Sequence, residues 1–271
     1  MMNTDITKAA PGPSRNGVED KMKALLEYTR KLHLGHLRDR LPDLLHEASV
    51  NSPSYLDFSL ELLRTEQNGR DATDLARRLA QARLPRTCDL DKFDFGHSAG
   101  VTKAQLRQMR ELVWVDQCFN LILMGPSGVG KTFIAAGLIR DAVLRGMKAR
   151  LYTMEDLVAI LRRKDTSSTG MRAYENLLKV ELLAIDDIML MPLKKEEAIA
   201  FFNLVNSLHE RTSVIITTNK APTEWVSVLN DEVLTAALLD RLLYRADVVK
   251  LKGGSYRMDN RSSFLSIQKE S

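Results

Sequence analysis

The stretch NLILMGPSGVGKTFIAAGLIRDAVLRG, residues 120–146, decides the fold. It opens with a short apolar run, Asn120 to Met124, of the kind that forms a buried strand. Next come Gly125, Pro126, Ser127, Gly128, Val129 and Gly130, then Lys131 and Thr132. From Phe133 the pattern is that of a helix, which Gly146 ends. A strand, a glycine loop ending in Gly-Lys-Thr, and a helix together predict a phosphate cradle. Glycines let backbone N–H groups converge on phosphate oxygens, and the helix N-terminus adds partial positive charge. Lys131 is placed to reach the β- and γ-phosphates of a nucleotide, and the Thr132 hydroxyl to hold Mg²⁺.

Downstream, strands alternate with helices. ARLYT (149–153), ELLAIDD (181–187), SVIITTN (213–219) and ADVVKL (246–251) read as strands. EDLVAILRRK, KEEAIAFFNLVNSLHER and EVLTAALLDRLLY between them read as helices. That alternation predicts an α/β fold, a parallel sheet flanked by helices. In such sheets ligands gather at the C-terminal strand edge. Asp186 and Asp187 fall at one strand end, Asp186 as the carboxylate on the Mg²⁺ side and Asp187 as the residue that orients or deprotonates water. Asn219 ends another strand, where an amide can hold that water.

Upstream, residues 18–116 read as an all-helical N-terminal domain, with 117–258 as the nucleotide domain and 1–17 and 259–271 as tails. Met22, Leu25, Leu26, Leu37, Leu41, Leu44 and Leu45 form a stripe interrupted at Pro42. A helix from Tyr55 is expected to end near Gly69, with a separate helix in DLARRLAQARLPR. Thr102, followed by Gln105, signals a capping box.

Charge is nearly balanced: 39 Lys+Arg against 35 Asp+Glu, net +4. DNA binding would therefore need local patches. Two are candidates: Arg162, Arg163, Lys164 and Arg172, around a flexible turn at 167–170, and Arg77, Arg78, Arg83 and Arg86. An ordinary solvated face is the competing explanation for both. Two isolated cysteines exclude a disulfide framework or thiolate cluster, and the five histidines show no ligand spacing. No apolar run is long enough to span a membrane, and the N-terminus lacks a signal-peptide core, so a cytoplasmic protein is expected.

The phosphate loop, the acidic pair and the polar strand end, in this order, resemble an AAA+ ATPase. More closely, NLILMGPSGVGKT, ELLAIDDI, IITTNKAPTEW, NDEVLTAALLDRLLY and LKGGSYRM resemble the IstB-type ATP-binding proteins of insertion sequences. Those proteins are relatives of the DnaC and DnaI helicase loaders and of the initiator DnaA. SYLDFSLELLRTE and LARRLAQARLPR extend the likeness upstream, so that it runs from about residue 20 to residue 258. The resemblance implies ATP and Mg²⁺ as cofactors. It implies Arg241 as an arginine finger reaching the γ-phosphate of a neighbouring subunit, and Arg257 as a sensor-2 arginine within its own subunit. It further implies an ATP-dependent homo-oligomer on duplex DNA, without strong sequence preference, that engages an IstA-type transposase. The family more often carries Asp-Glu at the acidic pair. The shorter Asp187 here implies slow hydrolysis and a long-lived ATP-bound assembly. Little chain follows ADVVKL, so no full helical lid is expected. The alternatives are a helicase loader on single strands, a small-molecule P-loop kinase, and a non-catalytic binding module.

Overall fold

The computed structural model describes residues 15–188 and 192–259; the expected tails at 1–17 and 259–271 fall almost wholly outside them. In chain order the elements begin with three helices, α1 (Arg15–Lys31), α2 (Gly35–Asn51) and α3 (Tyr55–Gln81). A two-residue strand β1 (Ser98–Ala99) and helices α4 (Lys103–Glu111) and α5 (Val113–Asp116) lead into β2 (Asn120–Met124) and α6 (Lys131–Leu144). Then follow β3 (Ala149–Thr153), α7 (Met154–Arg163), α8 (Ser168–Leu177), β4 (Leu182–Asp186), α9 (Lys195–Leu208) and β5 (Ser213–Thr218). Last come α10 (Val226–Leu229), α11 (Glu232–Leu243), β6 (Ala246–Lys250), β7 (Lys252–Gly253) and α12 (Tyr256–Asp259).

The main sheet has the order β3-β4-β5-β2-β6, and every neighbouring pair is parallel. Successive side chains of a strand point to opposite faces, and the core divides accordingly. Leu121, Leu123, Leu182, Ala184 and Ile215 share one cluster with α6, whose Ile134, Leu138, Ile139 and Ala142 have no exposure. Ile122, Leu183, Ile185, Val214 and Ile216 share the other with α7, α9 and α11. All five expected strands of the sheet are present.

The chain divides into two compact units, 1–74 and 75–271. The expected boundary at 116/117 is thus displaced to 74/75. Residues 75–116 pack onto the sheet unit for identifiable reasons. Leu75, Leu79, Phe93, Phe95 and Trp114 lie against its core, and the Leu151 amide donates to the Ala82 carbonyl at 3.0 Å. Nor is this stretch all helical, since β1 pairs antiparallel with β7. Thr102 caps α4 in a reciprocal box with Gln105, as its spacing predicts.

In the helical unit, Pro42 lies inside α2 without ending it. Leu37, Leu41 and Leu44 are buried on both sides of it, and that packing outweighs the hydrogen bond a proline removes. Gly69 does not end a helix either; α3 runs through it. A Cβ there would sit 2.3 Å from His36 Cγ, so the glycine serves close approach of α2 rather than termination. Glu66 of α3 is buried. It accepts from the Leu37 amide at 2.9 Å, near the start of α2, and from Arg70 at 2.6 Å. A carboxylate at a helix N-terminus satisfies free amides and the helix dipole together.

Candidate active site

The site forms where three adjacent strands end. β5 lies between β2 and β4, so the phosphate loop after β2 and the acidic pair after β4 face each other across it. The Gly125 amide donates to the Thr218 carbonyl at 3.2 Å, tying the loop to β5. Two more contacts pin the loop from outside the sheet. Ser98 Oγ donates to the Val129 carbonyl at 2.7 Å, and the Tyr256 amide to the Gly128 carbonyl at 3.1 Å. Gly128 has φ 86°, and a Cβ there would come within 2.8 Å of Ser255 Cα, so both conformation and space require glycine. Pro126, Ser127 and Val129 complete the loop. α6 starts without a side-chain cap, which leaves the amides of Lys131, Thr132 and Phe133 free of a capping oxygen. That is the anion-binding end of a helix.

Lys131 is only 5% exposed. Its Nζ donates to the carbonyls of Gly125 and Pro126, each at 2.7 Å, and to Asn219 Oδ1 at 2.6 Å. Burial lowers its pKa from the usual lysine value; Asp187 and Asp186 oppose that shift, and Arg257 adds to it. Thr132 Oγ1 donates to Asp186 Oδ1 at 2.9 Å. A hydroxyl and a carboxylate side by side form a hard-oxygen donor pair suited to Mg²⁺, which keeps waters and phosphate oxygens as its remaining ligands.

Thr217, fully buried, is the residue that spacing does not reveal. Its hydroxyl donates to Asp186 Oδ1 and accepts from the Asp187 amide at 2.9 Å. One side chain therefore orients both acids. In hindsight the signal is the TT of SVIITTN: a polar residue in a strand otherwise buried on both faces needs partners. Asp187 turns out of the strand with φ 54° and is exposed at the mouth of the site. Burial pushes its carboxyl up from the ordinary value, as does the Asp186 charge, while Lys131 and Arg257 pull it down.

Of the two expected phosphate-sensing arginines, only Arg257 lies near this cluster; its charge acts on both Lys131 and Asp187. Arg241 is elsewhere. Its Nε donates to Asn206 Oδ1 at 2.7 Å, Nη1 donates to the Ala237 carbonyl at 2.9 Å, and the guanidinium stacks over Phe202. It pairs with neither Asp240 nor Asp247. The adjacent Leu242 carbonyl accepts from Asn120 at the start of β2. The phosphate loop follows the end of that five-residue strand, about 16 Å away at the usual rise per residue.

The two basic patches separate on inspection. Arg162 is held by buried Glu197 through Nε at 2.8 Å and through Nη2, and Lys164 stacks over Tyr174. Arg163 and Arg172 are exposed. The stretch 167–170 is no flexible turn: the Ser167 hydroxyl accepts from the Gly170 amide and caps α8. In the other patch, Arg83 stacks over Tyr152 and faces Asp156 at 3.5 Å, and Arg78 is partly buried. Arg86 is exposed, and Arg77 is exposed with an interaction of its own.

A parallel sheet with this loop, acidic strand end and polar strand end defines a P-loop nucleotide-binding protein of the AAA+ kind. The model of the IstB-like ATP binding protein family matches residues 28–264, and the chain belongs to that family. It is 48% identical over 246 residues to an IS21-like insertion-sequence ATP-binding protein of Bacteroides fragilis, covering 91% of this chain and 94% of the relative. An IS21 ATP-binding protein of Pseudomonas aeruginosa is 35% identical, over 84% of this chain and 86% of its own. Among solved structures, AMPPCP-bound DnaA from Aquifex aeolicus superposes with a TM-score of 0.52 at 21% identity, over 63% of this chain and 51% of its own. DnaI does so with a TM-score of 0.52 at 18% identity, over 62% and 92%. These likenesses are of fold. No helix among the described residues is long and apolar enough to cross a membrane.

Proposed function

We propose that this insertion-sequence ATP-binding protein hydrolyses ATP, assembles on duplex DNA in its ATP-bound form, and there helps a transposase of the IstA type engage its target. The observation that carries the reading is the hydrogen-bonded convergence of Lys131, Thr132, Asp186 and Asn219 at three adjacent strand ends.

In this reading the amides after Gly130 and the Lys131 ammonium hold the β- and γ-phosphates. Charge-assisted contacts to phosphate replace the carbonyl contacts Lys131 makes now. Thr132 and Asp186 would hold Mg²⁺, which would supply positive charge beside the phosphoryl oxygens when bound. Asp187, turned out of the strand at the mouth of the site, faces the water and accepts its proton. Asn219 orients that water, and Arg257 contacts phosphate within the subunit. Arg241 sits far from its own phosphate loop, so it serves a neighbouring subunit, and hydrolysis requires assembly. The short Asp187 side chain makes that hydrolysis slow. Arg163 and Arg172 supply sequence-independent, salt-sensitive phosphate contacts, while Arg162 and Lys164 shape the α7–α8 hairpin that presents them.

The test is electron microscopy of wild type and Lys131→Ala with ATP on duplex and on single-stranded DNA. Assemblies on duplex that vanish in the variant are expected. A preference for single strands would replace this reading with a helicase loader, and no assembly on either would overturn both.

A further inference from the structure

Two chain segments remote in sequence, 94–99 and 251–259, meet over the phosphate loop, and the role of their meeting is unassigned. Asp94 shapes the first segment: its Oδ1 accepts from the amides of Gly96 at 2.9 Å and His97 at 3.2 Å. That turn presents His97. β1 then pairs antiparallel with β7, Ser98 opposite Gly253 and Ala99 opposite Lys252. The His97 side chain makes three contacts to the second segment. Nε2 lies 3.2 Å from the Gly254 carbonyl, Nδ1 lies 3.6 Å from Asp259 Oδ2, and the ring meets Tyr256 edge-on with centroids 5.2 Å apart. A carbonyl only accepts, so in the Gly254 contact Nε2 is the donor.

Arg257 sits inside the stretch that His97 holds. Gly254 lies before it, Tyr256 beside it and Asp259 after it. Arg257 itself is exposed and lies on a four-residue helix, which has little stiffness of its own. Yet its charge acts on Lys131 and Asp187. Something outside that helix has to fix its position.

We propose that His97 is a positioning residue for Arg257: it clasps the segment 254–259 so that the guanidinium is held over the phosphate loop. This rests on the reading of the site as an ATP site with Arg257 as a phosphate contact. The neighbouring Ser98–Val129 and Tyr256–Gly128 hydrogen bonds tie both halves of the clasp to the loop itself. The clasp therefore moves with the loop, and a displaced phosphate carries Arg257 with it. A long side chain tethered at its backbone loses less freedom when it binds, so the clasp acts mainly on nucleotide affinity.

The experiment is a double-variant cycle on the full chain, reading the Kd for ATP with Mg²⁺ by calorimetry in wild type, His97→Ala, Arg257→Ala and the double variant. His97→Ala is expected to weaken binding about tenfold in the wild-type background and not at all once Arg257 is absent. His97→Gln, which keeps a donor for the Gly254 carbonyl, is expected to recover part of the loss. Melting temperatures without nucleotide are expected to stay level across the set. Additive losses in the cycle would overturn the proposal, as would normal affinity in His97→Ala. If His97→Ala fails to fold, the same comparison between His97→Gln and its Arg257→Ala double decides in its place. Lys131→Ala keeps the two questions separate: undiminished ATP binding in that variant sinks the underlying site reading, whereas binding lost there beside additive losses in the cycle sinks the clasp alone.

Discussion

On both faces of the sheet in 75–271, strand and helix residues such as Ile122, Leu138, Leu183, Phe201 and Ile216 have no exposure at all. In 15–74 the buried hydrophobic residues are Leu37, Leu41 and Leu44, while Tyr28, Leu32, Val50, Tyr55, Leu56 and Leu63 are more than 60% exposed. Two carboxyls, one in each region, are shifted in opposite directions. Burial tends to raise the Glu66 carboxyl, but the Leu37 amide and Arg70 outweigh it, and the pKa falls below the ordinary value. Asp187 is pushed up instead, beside a lysine pushed down. Glu66 is satisfied by its partners, as is buried Glu197 of the sheet unit by the Lys194 amide and Arg162. Lys131 and Asp187 are charges held at a cost, at the place where the proposed phosphate and metal would relieve them.

Four perturbations break or sharpen this contrast. Lys131→Ala is expected to weaken ATP binding by about a thousandfold, since a charge-assisted phosphate contact is lost in a buried setting. The fold should survive, and calorimetry together with circular dichroism checks both. Next, Leu41→Ala should destabilise the helical unit by about 3 kcal/mol, the usual cost of a cavity. Scanning calorimetry should then show that unit melting early and the ATP-induced shift of the other unit unchanged. A single shared transition would mean that the two units do not differ in the way described.

Asp187→Asn should slow phosphate release about tenfold while slightly raising the melting temperature at neutral pH. The sign follows from its raised pKa. Ionised Asp187 costs stability above its folded pKa, and the cost disappears below the ordinary value of 3.8. The gain should therefore be present at pH 7 and absent in acid. The smallest effect concerns Glu66, whose pKa is shifted the other way. Its stabilisation is complete above the ordinary 4.5 and is lost as pH falls through its lower folded value. Acid should thus loosen the helical unit, and Glu66→Gln should flatten that dependence by about 1 kcal/mol.

Much of the sheet unit was legible because its signals are local. NLILM, the glycine loop and the helix after it follow one another in sequence and stay together in space, and the acidic and polar strand ends fall where parallel topology collects them. What escaped depends on partners far along the chain. Gly69 reads as a helix end until His36 is found against it. Arg162 reads as a free cation until Glu197, 35 residues on, takes it up. Thr217 reads as strand filler until Asp186 and Asp187 fold beside it. The division at 74/75 was hidden for a related reason: helical periodicity continues through α3, and only packing tells which unit each half of it serves.

Arg241 lies at the end of the sheet opposite the phosphate loop, secured by Asn206 and Phe202. In the proposed assembly, a finger stationed there would give each molecule half of two active sites and all of none. Two differently impaired proteins, Arg241→Ala and Asp187→Asn, should then each be slower alone yet complement one another when mixed: the first offers an intact pocket, the second an intact finger, and faster hydrolysis is expected at the junctions where the two meet in the right order.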